Sequence, residues 1–141
     1  MHYRIVLSCC VLITLGALAA AQRSSIVTVP APPTSATSGK EMYLAYCAAC
    51  HGREGKGDGP VAGALKTPPT DLTVLSERNH GRFPSVRVVN VITGSAGVTA
   101  HGSKEMPVWG PIFLAMGHQH ESEARLRAAN LTDYVKSLQK R

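Results

Sequence analysis

Near the end of the chain apolar residues recur with the period of a helix: Ala124, Ala128, Leu131, Val135 and Leu138 step by four, three, four and three. Glu121 and Glu123 stand at the start of that run and Lys136, Lys140 and Arg141 at its end, the charge order that complements a helix dipole, so a helix is predicted over 121–139. A second helix is predicted to begin after Ser38, because Ser38 and Glu41 form a capping box that satisfies two helix-end donors. Tyr43, Cys47 and Cys50 then fall at i, i+4 and i+7, placing a ring and two sulfurs on one face. Gly52, Gly55, Gly57 and Gly59 end this helix and open a loop through Pro60. A short helix is predicted between Asp71 and Glu77, with Asp71 as its cap. Residues 84–93 give conflicting signals: Pro84 and Gly94 bracket a helix, while Val86, Val88, Val89, Val91 and Ile92 favour a strand.

At the other end, Arg4 precedes an uncharged apolar run from Ile5, and Ala19, Ala20 and Ala21 supply the small residues of an export-signal cleavage site. Residues 1–21 therefore read as a secretory signal, with an uncleaved membrane anchor as the alternative, since the run lies at the short edge of the about 17 to 25 residues that span a bilayer. Residues 22–37, rich in Pro, Ser, Thr and Ala and without a sustained period, read as a linker. That leaves 38–141 as a single domain.

Composition changes this picture little. A net charge of +6 is spread along the chain, with no basic run longer than Lys140 and Arg141, which excludes the dense cluster of a nucleic-acid binder. One Trp, four Tyr and two Phe are a thin aromatic supply for a core of this size, and small domains of that kind often need a staple.

The cysteines change it more. Of four, Cys9 and Cys10 lie in the export segment, leaving Cys47 and Cys50 in the domain. Two cysteines three apart with His51 directly behind match the C-x-x-C-H pattern of c-type haem attachment, because thiols so spaced on a helix point the same way and can bond two vinyl groups on one haem edge. A structural zinc site would want a second ligand pair, and a thioredoxin-like dithiol a βαβ context. With His51 as one axial ligand, a methionine is the natural second. Met42 shares the cysteine helix, and Met116 sits in an apolar run as a gap filler. Met106, held extended by Pro107, is the preferred candidate, with His80 and His101 as rivals.

The stretches "AYCAACHGREGKGDGP", "PPTDLTVLSERNHGRFP", "HGSKEMPVWG" and "ANLTDYVKSL" together resemble a bacterial class I cytochrome c over roughly 38–139. The resemblance implies an all-α, cytochrome c-like helical domain wrapped around one covalently bound haem. It implies that Cys47 and Cys50 carry haem c, that His51 and Met106 ligate its iron, and that the Pro60 carbonyl accepts a hydrogen bond from the other ring nitrogen of His51. It also implies that residues 84–93 form the middle helix, that Gly39 and Tyr43 cross the last helix near Leu131 and Tyr134, and that Trp109 packs at the haem edge near a propionate. Asn79 and Arg82 could reach a propionate as well.

The function expected is that of a monohaem one-electron carrier in the periplasm, not an enzyme, though it could be a subunit of an oxidoreductase complex. The implied partners are a donor dehydrogenase or quinol oxidoreductase and an acceptor oxidase, with membrane association only if residues 1–21 remain. A haem-based sensor or peroxidase-like enzyme is the alternative and would need an exchangeable sixth ligand. Mass spectrometry of the native protein is expected to show loss of residues 1–21 and gain of one haem; an intact N-terminus would favour the anchor.

Overall fold

The computed structural model describes residues 30–95 and 106–140. Among these residues every regular element is helical: α1 Gly39–Tyr46, α2 Ala48–His51, α3 Ser85–Thr93, α4 Trp109–Met116 and α5 Glu121–Ser137, with single 3₁₀ turns at Ala62–Ala64, Leu72–Val74 and Glu77–Asn79. The expected signal segment, His101 and Arg141 lie outside the described residues. Among the described residues no helix is long and apolar enough to cross a membrane.

Helix α5 is the hub, packing against α1, α3 and α4. Its predicted stripe is the reason: Ala128, Leu131 and Val135 are buried together with Met42 and Tyr43 of α1, Ile92 of α3 and Phe113 of α4. The crossing with α1 is close. A Cβ on Gly39 would collide with the backbone carbonyl of Asn130 and press on Tyr134, so only glycine lets the two backbones meet there. One turn along, the rings of Tyr43 and Tyr134 pack with centroids 5.2 Å apart.

The ends of α1 and α3 follow the sequence pattern. The Ser38 hydroxyl accepts from the Glu41 backbone N–H at 3.2 Å. The other half of the box is displaced, since Glu41 takes the Ser35 N–H at 3.3 Å while the Ser38 N–H pairs with the Ser35 carbonyl at 3.2 Å. Residues 85–93 are helical, as the resemblance implies and against their β propensity, and Gly94 ends them in the left-handed conformation.

Two expectations change. The short helix expected from Asp71 to Glu77 is replaced by two 3₁₀ turns. Asp71 does cap the first, accepting from the Thr73 N–H at 2.8 Å and the Thr73 hydroxyl at 2.6 Å, but the backbone groups beyond it bond elsewhere. The 22–37 linker also ends earlier than composition suggests. Ala31 packs on the core, the Pro32 carbonyl accepts from Tyr46 Oη at 2.6 Å, and Asn130 Nδ2 donates to the Ala36 carbonyl at 2.9 Å. Buried Arg127 donates to the Thr34 carbonyl at 3.0 Å while its guanidinium pairs with Glu123 at 2.8 Å. The extended backbone of Pro32 to Thr34 leaves its carbonyls available to such donors.

The sequence pattern does not predict helix α4. Its apolar run carries no clear period, and Pro111 reads as a breaker although it sits in the first turn, where its missing N–H costs no helical bond.

Gly39→Ala is expected to destabilise the domain by about 1–3 kcal/mol through overpacking at the α1/α5 crossing. Chemical denaturation compared with the parent checks it, and an unchanged midpoint would contradict the close approach.

Candidate functional site

Helix α1 stops one residue before the motif. Cys47 is its C-cap and also the N-cap of α2, a single turn that ends at Gly52, so both sulfurs and the imidazole issue from one short stretch of helical backbone. Cys47 and Cys50 are half-buried and not joined in a disulfide. Burial pushes the Cys47 thiol up to about 12, with the neighbouring Cys50 as the lesser cause.

Beneath the motif the loop is pinned from several directions. Tyr43, fully buried, donates to the Gly52 carbonyl at 2.7 Å. The Gly57 N–H returns to the His51 carbonyl at 2.8 Å, and the Leu72 N–H bonds the Gly55 carbonyl at 2.7 Å. Gly57 has φ +81° and lies so near the Pro69 carbonyl that a Cβ would strike it, which draws residues 69–72 in against the loop.

That packing sets the histidine. His51 Nδ1 lies 3.0 Å from the carbonyl oxygen of Thr70. A carbonyl can only accept, so Nδ1 carries a proton and donates it to this bond. The acceptor of this bond is Thr70, where the resemblance implies Pro60. The Gly59 N–H bonds the Cys50 carbonyl at 3.0 Å and the Val61 N–H the Ala49 carbonyl at 3.1 Å, zipping this part of the loop along α2 and leaving Pro60 exposed in a surface groove beside Ala48 and Arg53. Thr70 was not singled out from sequence, where a backbone acceptor leaves no mark in residue type.

The other candidates are more scattered. Met106 is half-buried and packs on the edge of the same core as Cys47. Trp109 opens α4, 7% exposed, and stacks on Tyr46 with centroids 4.6 Å apart, so it adjoins the residue that precedes Cys47. Met116 receives a long contact from Tyr46 Oη, at 3.9 Å to its sulfur, in keeping with a gap-filling role. His80 is exposed with φ +54°, and Asn79 Nδ2 turns back to the Arg82 carbonyl at 2.7 Å. Among the described residues no group of three or more His, Cys, Asp and Glu side chains could hold a bare metal ion.

Two unpaired sulfurs and an imidazole with its proton fixed on Nδ1 form a donor set suited to haem rather than to a naked ion. The sequence matches the family described as cytochrome c oxidase, cbb3-type, subunit III, over residues 34–116, more than half of its length. The chain belongs to this family. Its domain is a c-type cytochrome with covalently bound haem c and iron, a haem-based electron-transfer module, and Cys47 and Cys50 are compatible with the attachment motif. Searches of curated proteins and of solved structures return no significant match.

In this cytochrome burial raises the Tyr43 phenol well above its ordinary value. The unfolded chain therefore ionises near pH 10 while folded Tyr43 keeps its proton, so stability falls as pH rises above about 10, by up to about 1.4 kcal/mol per pH unit. Tyr43→Phe is expected to cost about 1–2 kcal/mol at neutral pH, by leaving the Gly52 carbonyl unpaired, and to flatten that alkaline slope. Denaturation at pH 7, 10 and 11 measures both effects; identical slopes would refute the assignment.

Proposed function

We propose that this cytochrome is an exported one-electron carrier in which Cys47 and Cys50 would bond the haem and His51 Nε2 and the Met106 sulfur would ligate its iron. The observation that carries the reading is the hydrogen bond from His51 Nδ1 to the Thr70 carbonyl. It fixes the tautomer a ligand needs and orients the ring from behind. When bound, the haem iron supplies the one-electron change between its ferric and ferrous states.

The residues around it serve that purpose by staying still. His51 is held through Thr70, and the loop that carries it is locked by Tyr43 and Leu72. Met106 sits at the edge of a packed core, where a thioether on the iron would favour the reduced state and close the position a sensor or peroxidase keeps open. Trp109, stacked on Tyr46, is proposed to pack at the haem edge.

The family supports partners of a redox chain. A donor dehydrogenase or quinol oxidoreductase and an acceptor oxidase are proposed, at the periplasmic face, with this chain acting as a mobile carrier or as a subunit of the oxidase assembly. A mildly basic surface suits docking to acidic patches, which steers association and weakens with salt.

Met106→Ala tests the ligand assignment. The oxidised parent is expected to show the far-red sulfur-to-iron band, and the reduced parent is expected not to bind carbon monoxide. The variant is expected to lose the band, bind carbon monoxide and have a lower midpoint potential. A parent that binds carbon monoxide readily would replace the carrier with a sensor or peroxidase.

A further inference from the structure

Just past α5, beyond the residues of the motif and of the family match, the chain makes a connection back to residues 72–76. Gln139 follows the C-cap Leu138, and its side chain turns back to donate from Nε2 to the Val135 carbonyl at 3.0 Å, as a C-terminal cap would. The same nitrogen donates to the Leu72 carbonyl at 2.6 Å, and Oε1 accepts from the Ser76 N–H at 2.8 Å. Leu72 and Ser76 are four residues apart, so in an α-helix that carbonyl and that N–H would bond each other. The carboxamide of Gln139 has entered between them, satisfying both with its own donor and acceptor.

This insertion explains the two 3₁₀ turns where a short helix was expected, and it bears on the histidine. Leu72 is two residues beyond Thr70, whose carbonyl receives the His51 Nδ1 proton, and its own N–H is fixed to Gly55. Lys140 adds a second tie to the same stretch, its N–H bonding the Thr73 carbonyl at 2.9 Å. The segment that orients His51 is thus anchored on one side by the haem-motif loop and on the other by the end of α5.

We propose that Gln139 is a positioning residue for His51: its carboxamide, inserted between Leu72 and Ser76, fixes the segment whose Thr70 carbonyl receives the His51 Nδ1 proton. A shorter, steadier hydrogen bond at Nδ1 makes Nε2 a stronger donor and favours the oxidised iron. Loosening the segment weakens that bond. The inference deepens the reading of His51 as an iron ligand and rests on it.

The test uses the haem-loaded protein with Gln139→Met, which keeps the length and removes all three hydrogen bonds, and Gln139→Glu, which keeps only an acceptor for Ser76. Arg127→Gln is the control, because it releases Thr34 from α5 without touching residues 70–76. The readouts are the exchange rate of the His51 Nδ1 proton by NMR and the ratio of reduced to oxidised protein at a fixed ambient potential. Gln139→Met is expected to speed exchange roughly ten- to a hundred-fold, as for a segment that loses two of its hydrogen bonds, and to raise the ratio several-fold. Gln139→Glu is expected to give smaller shifts of the same sign, and decides the matter if the Met variant does not fold. Arg127→Gln is expected to lower the melting temperature and move neither readout. Gln139 variants that lose stability with both readouts unchanged, or an Arg127→Gln that moves them equally, would overturn the proposal. A parent without an iron-shifted His51 ring resonance would instead remove the ligand reading itself, and this inference with it.

Discussion

The contact between the backbones of α1 and α5 at Gly39 and Asn130 governs the rest of the molecule. Helix α1 delivers the cysteine and histidine motif, and α5 is the element against which α1, α3 and α4 are packed, so their crossing decides where the motif stands relative to the core. Close approach at Gly39 lets Tyr43 pack against Tyr134 and puts its hydroxyl on Gly52, directly beneath the motif. A wider crossing would separate these two contacts, and the loop would lose its support from α1.

From that crossing outward the site is built mainly from backbone hydrogen bonds. The sulfurs and the imidazole come from one turn of helix. The groups that hold the turn in place are carbonyls and N–H groups of residues 49–61 and 70–72. Such a frame suits a protein whose iron must change charge with little rearrangement, because paired backbone groups packed against a core have few alternative arrangements.

Those physical origins also explain what could be read in the sequence. The motif at Cys47, Cys50 and His51 was legible because its chemistry is local, and α1 and α5 were legible because caps and apolar spacing are local as well. The middle helix was ambiguous: its valines favour a strand in isolation, and packing against α5 decides otherwise. Helix α4 was hidden by Gly110 and Pro111, which look like breakers until the helix is seen to begin at Trp109. Thr70 could not be found, since any residue has a carbonyl and only the folding of the loop around Gly57 selects this one. Gln139 was visible as the end of a helix, but its insertion between Leu72 and Ser76 depends on a meeting of distant segments that no periodicity encodes.

Tyr46 joins parts of the molecule that lie far apart in the chain. Its hydroxyl holds Pro32 and Thr34, its ring lies on Trp109, and its peptide leads into Cys47. The piece of this protein that could be transplanted into a fusion or cut out by a protease as an intact block therefore begins at Ala31. Cutting at the helix start instead would take the Thr34 acceptors from the buried Arg127 guanidinium, leaving it Glu123, and unclasp the ring beside the turn that carries Cys47. The proline-rich lead-in is a flap of the fold, stitched down before the first helix starts.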